Sequence, residues 1–310
     1  MRSANIRSPM AWACPVCGGA QATQRFAVPA GGTEAGVDAD AFRPSSERFG
    51  TTTGRVVRCV SCGHAALAEA PAATAMATAY AGAADPVSLR EEPGQVETAR
   101  RALVEVERVM RPGRVADLGC WTGSFLVAAR ERGWKSVGVE PSTWASDRAR
   151  ERGLDVRTTD IAAHGLEPGT FRLVVLCDVL EHLTDPGAAL EVARDLLEPG
   201  GVLYVTVPDA GSLLARLLGR RWWSVLPMHV QYFTRDSLRL LLESHGFTVQ
   251  SMRSHAKAFS ARYYAERVGG YSQGLERVAV GVLERLHFAD RLVVPDLRDR
   301  IGAISTSPPR

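Results

Sequence analysis

The chain has 310 residues, 45% of them hydrophobic, and a formal net charge of +3 at pH 7. That is enough apolar material for one large core with a small module beside it, and the charge is too mild for the basic footprint of a nucleic-acid binder. No stretch approaches the roughly 20 apolar residues of a membrane span and the amino terminus lacks the apolar run of a signal peptide, so a cytoplasmic location is expected.

The first predicted element is a metal module over residues 1–70. Cys14-Pro15-Val16-Cys17-Gly18 and Cys59-Val60-Ser61-Cys62-Gly63 are two C-x-x-C-G knuckles. Each spacing aims two thiolates at one ion and the glycine permits the tight turn, so the four cysteines read as a structural zinc site; a redox pair or spare thiols is the alternative. His64 follows the second knuckle but is a bystander if four cysteines fill the shell. Between the knuckles, residues 27–53 are rich in Gly, Ala, Pro and Thr and read as a loop or hairpin excursion. Residues 71–111 form a helical linker or lid. It comprises an alanine-rich run containing Tyr80, then an amphipathic helix over 95–110 with Val96, Ala99, Leu103, Val106 and Met110 on one face.

Strand and helix then alternate. Val115 to Leu118 is a strand that breaks at Gly119-Cys120-Trp121-Thr122-Gly123 and gives way to a helix; a second strand ends at Glu140. Glycines let the backbone turn tightly against a ligand, and a carboxylate about 20 positions on can accept from two ribose hydroxyls. Asp117, just ahead of the turn, would repel a pyrophosphate and suits a cationic or amine-bearing ligand. Further strands over 156–159, 172–177 and 202–207 predict a doubly wound, mostly parallel α/β sheet. Its strand ends would carry Asp117, Glu140, Asp160 and Asp178.

These residues resemble motif I of class I S-adenosylmethionine-dependent methyltransferases, D-x-G-x-G-x-G, with Trp121 in place of the middle glycine. Cys177-Asp178-Val179-Leu180-Glu181-His182-Leu183-Thr184-Asp185-Pro186 and Leu197-Glu198-Pro199-Gly200-Gly201 look like the post-strand-four and pre-strand-five motifs of the same superfamily. They resemble in particular its small-molecule branch, which includes the ubiquinone-biosynthesis O-methyltransferases. The resemblance implies a seven-stranded Rossmann-like sheet over 112–256 that binds S-adenosylmethionine. It places Asp117, Gly119 and Gly123 around the methionine moiety, Glu140 at the ribose, Asp160 near the adenine amino group and Asp178 near the methyl-transfer face. For Asp160 a helix N-cap is an equal alternative. A cysteine module ahead of such a domain is similar to sugar-nucleotide C-methyltransferases, although this chain is shorter. It is less similar to ribosomal-RNA guanine methyltransferases, whose cysteines are more tightly spaced.

The remaining elements concern the acceptor. Arg221 to Thr234 contains Trp222, Trp223, Tyr232 and Phe233, which read as core with a pocket wall as the alternative. It also holds His229, which joins His182 as a candidate general base. Residues 257–310 read as a helical extension, a cap or homodimer surface; Arg262, Tyr263 and Tyr264 read as part of an ordinary packed helix, with contact to an anionic substrate as the alternative. The tail after Ile304 reads as disordered. The expected activity is methyl transfer to oxygen or carbon of a small molecule, such as a sugar, a natural-product intermediate or a cell-envelope intermediate. An RNA methyltransferase and an inactive zinc-containing binding protein are the alternatives.

Overall fold

A computed structural model describes residues 12–26 and 49–308, so most of the excursion between the knuckles lies outside the described residues. Strand β1 (Ala22–Phe26) follows the first cysteine turn, β2 (Val56–Cys59) and β3 (Ala65–Leu67) flank the second, and helix α1 (Ala73–Ala81) leads into α2 (Glu92–Val106). The α2 stripe of Val96, Ala99, Leu103 and Val106 is buried as its spacing requires. The main domain then runs β4 (Arg114–Leu118), α3 (Ser124–Glu131), β5 (Lys135–Glu140), α4 (Thr143–Glu151), β6 (Val156–Thr158), β7 (Phe171–Cys177), α5 (Pro186–Leu196) and β8 (Leu197–Pro208). After α6 (Leu213–Leu218) come β9 (Gln231–Tyr232), α7 (Arg235–Ser244) and β10 (Thr248–Ser254).

Seven strands form one sheet in the order β10-β13-β8-β7-β4-β5-β6, where β13 is Arg300–Thr306. All neighbours from β8 to β6 are parallel, and β13 is antiparallel to both β8 and β10. Strand β7 shows why the sheet is covered on both faces. Its Val174 and Leu176 pack with α5 and α7, while Leu173 and Val175 pack with α2 and α3. An apolar strand buried on both sides is the expected grammar of a parallel sheet. Strand β4 lies between β5 and β7, and their crossovers leave it in opposite directions, which opens a crevice at its carboxyl end.

The carboxyl-terminal expectation needs correction. The domain does not end near residue 256, and the tail beyond Ile304 is not disordered throughout, because β13 sits inside the sheet. A short segment gains ladder hydrogen bonds on both edges there, and Ile301, Ala303 and Ile304 are buried. The residues between β10 and β13 make an excursion over the strand ends: β11 (Phe259–Ser260), α8 (Ala261–Glu266), α9 (Gln273–Arg285) and β12 (Leu292–Val293).

The cysteine module is likewise not a separate bead. Its strands continue into a four-stranded sheet, β1-β2-β3-β9, whose last strand belongs to the segment after β8. Cys14, Val16 and Cys59 share a core with Leu238, Leu241 and Leu242 of α7.

Candidate functional site

The turn after β4 concentrates left-handed backbone: Gly119, Trp121 and Gly123 have φ of 84°, 48° and 81°. Gly119 is forced by contact as well as conformation, since a Cβ there would lie 2.7 Å from Val179 Cγ2. Trp121 accepts a conformation that costs an L-residue energy, and its neighbours hold it. Its backbone N–H donates to Glu140 Oε2 (2.8 Å), its indole N–H donates to Ser88 Oγ (3.4 Å), and its ring lies 5.6 Å from that of Trp144. Ser88 belongs to the 3-10 turn between α1 and α2, so Trp121 fastens the linker to the glycine turn.

Two buried carboxyl groups face each other across this turn. Asp117 is 2% exposed and its Oδ1 has no hydrogen-bond partner; burial, then repulsion from Glu140, pushes its pKa up to about 8. Burial raises Glu140 to about 7, against the lowering effect of N–H groups donated by Ser142 (2.8 Å to Oε1) and Trp121. Each Glu140 oxygen retains acceptor capacity beyond these bonds. Asp160 has two roles in the structure. Its carboxylate caps a 3-10 turn by accepting from Ala162 N–H (2.8 Å), and it also lines the cavity.

That cavity has a volume of about 970 Å³, at the upper end of the range for small-molecule sites. Its lining also includes a second constellation. Glu181, His182 and His229 bring donor atoms within 4.8 Å of one another. His182 Nδ1 lies 2.6 Å from Tyr80 Oη and 3.2 Å from the Met228 carbonyl oxygen, and its ring centroid is 4.7 Å from that of His229. His229 Nδ1 donates to the Ser224 carbonyl (2.7 Å), which leaves Nε2 as the bare acceptor. Burial drives both imidazoles neutral, His182 to about 4 and His229 well below its usual value. Glu181 is 2% exposed, has an unpartnered Oε2, and is raised by burial to about 8.

Asp178 has partners that its neighbours in the chain do not announce. At φ 57° it lines the cavity, but its carboxylate accepts from Thr206 Oγ1 (3.0 Å) and forms ion pairs with Lys257 and Arg300. It is therefore committed to a charge cluster, and both cations come from beyond the boundary drawn at residue 256.

A family model described as a methyltransferase domain matches residues 94–252. The chain belongs to that family. It is 31% identical over 140 residues to C-methyltransferase NovU of Streptomyces niveus, an alignment covering 44% of this chain and 33% of NovU. It is 28% identical over 130 residues to a ubiquinone biosynthesis O-methyltransferase of Methylococcus capsulatus, covering 40% of this chain and 54% of that protein. A 37.1 kDa protein in transposon TN4556 of Streptomyces fradiae matches at 31% over 193 residues, 57% of this chain and 56% of that one. The matched segments thus span about a third to just over half of these relatives. A chain in the solved complex of the Haloferax volcanii Trm112 methyltransferase activator with its methyltransferase superposes with a TM-score of 0.50 at 18% identity. That match covers 69% of this chain and 89% of that one, and supports the fold alone.

Within the methyltransferase domain, Asp117, Gly119, Glu140, Asp160, Asp178, His182 and His229 line one cavity, while Gly123 stands behind the turn against Leu154 and Ala149. Glu181 was missed as a functional candidate, although its place beside His182 in the post-strand-four motif was a usable signal. Of the four aromatics, Trp222, Tyr232 and Phe233 are core; Trp223 lines the cavity and donates its indole N–H to Asp299 (2.8 Å). Tyr263 and Tyr264 also line it, whereas Arg262 pairs with Glu284 and Asp290.

At the amino-terminal module the Cys14–Cys62 and Cys17–Cys59 Sγ distances are 3.5 and 3.6 Å, with all four sulfurs within 4.8 Å of one another. Four thiolates at ~2.3 Å from one zinc ion in tetrahedral array would stand about 3.8 Å apart, so the set fits the ion. His64 is turned away from it: Nε2 lies 2.9 Å from Gln231 Oε1 and Nδ1 3.3 Å from Ser237 Oγ.

Trp121→Gly should keep the turn, whose φ suits glycine, while losing the Trp144 contact and the Ser88 bond. Titration with S-adenosylhomocysteine should show binding weaker by about five- to tenfold; unchanged or tighter binding would mean that the tryptophan obstructs the site.

Proposed function

We propose that this methyltransferase moves a methyl group from S-adenosylmethionine to oxygen or carbon of a small molecule, a sugar or natural-product intermediate. The carrying observation is that one cavity presents two halves. Asp117 and Glu140 line it beside the glycine turn, and Glu181, His182 and His229 line it from the loop after β7 and the segment before β9. The orphaned Asp117 oxygen suits an ammonium group and the Glu140 oxygens suit ribose hydroxyls, which is what this cofactor offers. When bound, it supplies an electrophilic methyl group.

The chain's own residues would then orient the acceptor and take its proton. An imidazole near 4 is a weak base, whereas a carboxyl near 8 is matched to neutral pH, so Glu181 serves better as the acceptor of the proton. His182 and His229, neutral and held by hydrogen bonds at Nδ1, form the wall against which the acceptor would stand. Zinc, if held by Cys14, Cys17, Cys59 and Cys62, would be structural. It lies in the module and outside the cavity lining.

The direct test is incubation with methyl-labelled S-adenosylmethionine and panels of nucleotide-linked sugars and phenols. Label should enter one acceptor class in wild type and not in Glu181→Gln; labelling of RNA alone would overturn the small-molecule reading.

The carboxyl pair adds a pH signature. Folded-state values of about 8 and about 7 lie above the ordinary carboxylate range, so the unliganded protein favours the protonated forms and loses stability as pH rises through them. An ammonium-bearing ligand prefers ionised Asp117. S-adenosylhomocysteine binding should therefore release protons below about pH 7 and strengthen as pH rises toward about 8. Calorimetry in buffers of different ionisation enthalpy measures the release, and none would remove Asp117 from the ligand's contacts.

A further inference from the structure

The loop that presents Glu181 and His182 is tied down from outside the main sheet. Val230 N–H donates to the Glu181 carbonyl (2.8 Å), and the Gln231 side-chain amide donates to the carbonyls of Leu183 (2.9 Å) and Thr184 (3.4 Å). Both side-chain partners are carbonyls, so the amide nitrogen must face them. Gln231 Oε1 then faces His64 Nε2 at 2.9 Å, and because that oxygen only accepts, the His64 proton sits on Nε2. His64 Nδ1 is left as an acceptor, 3.3 Å from the Ser237 hydroxyl, and the His64 ring lies 4.8 Å from that of Phe233. All three polar side chains are buried. The backbone runs parallel to this chain of bonds: Ala65 and Ala66 pair with Tyr232 and Gln231, and Leu67 N–H donates to the Val230 carbonyl (3.0 Å).

We propose that Gln231 is a positioning residue that carries the geometry of the cysteine module, through His64, to the loop presenting Glu181 and His182 to the acceptor half of the cavity. Neither Gln231 nor His64 lines the cavity, so neither touches a reacting group. Each sits where a change of one polar group leaves buried partners unsatisfied, and a loop carrying a proton acceptor tolerates little displacement. The significance for catalysis rests on the methyl-transfer reading above. The mechanical link stands on the hydrogen bonds alone.

The test uses the full chain with Gln231→Leu, His64→Leu and His64→Gln, the last of which can again donate an N–H toward Gln231 Oε1. Three quantities are read: S-adenosylhomocysteine affinity, amide hydrogen exchange along the chain, and the imidazole titration of His182 by NMR. Both leucine variants should bind S-adenosylhomocysteine within about twofold of wild type, because neither Gln231 nor His64 lines the cavity. They should speed exchange in residues 179–185 by about tenfold or more, relative to β4 and β7. The His182 midpoint, about 4 when the ring is buried, should rise as the loop opens, and His64→Gln should recover most of both effects.

Exchange and titration unchanged in a leucine variant would overturn the proposal. So would exchange that rises uniformly across the sheet, which marks a role in stability only. If Gln231→Leu does not fold, the His64→Leu and His64→Gln pair decides the same question. Failure of the wild-type chain to bind S-adenosylhomocysteine would overturn the methyl-transfer reading instead, leaving the exchange comparison intact.

Discussion

Replacing Glu140 with alanine is expected to weaken S-adenosylhomocysteine binding by about a hundredfold or more. Hydrogen bonds to a charged group contribute about 1.5–3 kcal/mol each, and each 1.4 kcal/mol is a factor of about ten in affinity. Two ribose hydroxyls on one carboxylate therefore account for the expected loss. The same carboxylate holds the N–H groups of Trp121 and Ser142, so its removal also releases the glycine turn from the cap of α4. Glu140→Gln separates the two roles: it keeps one oxygen acceptor, loses the charge, and should fall between wild type and alanine. Titration calorimetry checks the series. Alanine binding as tightly as wild type would place the ribose elsewhere and remove the principal support for the cofactor site.

The second large effect belongs to the cysteine module. Cys14→Ser with Cys17→Ser should abolish metal content, which in wild type should be about one zinc ion per chain, and should lower the melting temperature by about 10 °C or more. Structural zinc sites contribute folding free energy directly, with apparent binding of about 10–16 kcal/mol in small zinc peptides. Part of that would be retained here, because Val56, Ala65 and Leu67 pack in a core with Val225, Leu226 and Tyr232. The double variant should therefore be destabilised without wholesale unfolding of the seven-stranded sheet. Metal analysis and thermal melts measure the two effects. A wild-type chain without zinc and with an unchanged melt in the variant would return the four cysteines to the status of spare thiols.

The glycine turn and the acidic strand ends around it were readable because their signals are local. The turn, the strands on either side and the carboxylates at their ends lie within a short stretch of chain, and alternating apolar runs place the strand ends at one edge of the sheet. Trp121 was readable as an anomaly but not as a latch, since Ser88 and Trp144 come from different elements. The acceptor half was less legible. His182 and His229 were candidates by residue type, yet Tyr80 joins them from a helix before the sheet begins, and Glu181 acquires its raised pKa only from burial. The charge partners of Asp178 were hidden for a related reason. Its partners Lys257 and Arg300 flank the excursion between β10 and β13, and nothing near Asp178 in the chain announces two cations.

By itself the sequence determined the alternation of strands and helices from β4 to β8, the glycine turn with its two acidic neighbours, the cysteine knuckles and the family motifs, because each depends on residues a few positions apart. Only the tertiary structure decided that the last strand inserts between β8 and β10, that the module shares a sheet with the segment after β8, and which carboxyl groups are orphaned and which are paired. Those outcomes depend on desolvation and on contacts between residues far apart in the chain, and no local pattern encodes them.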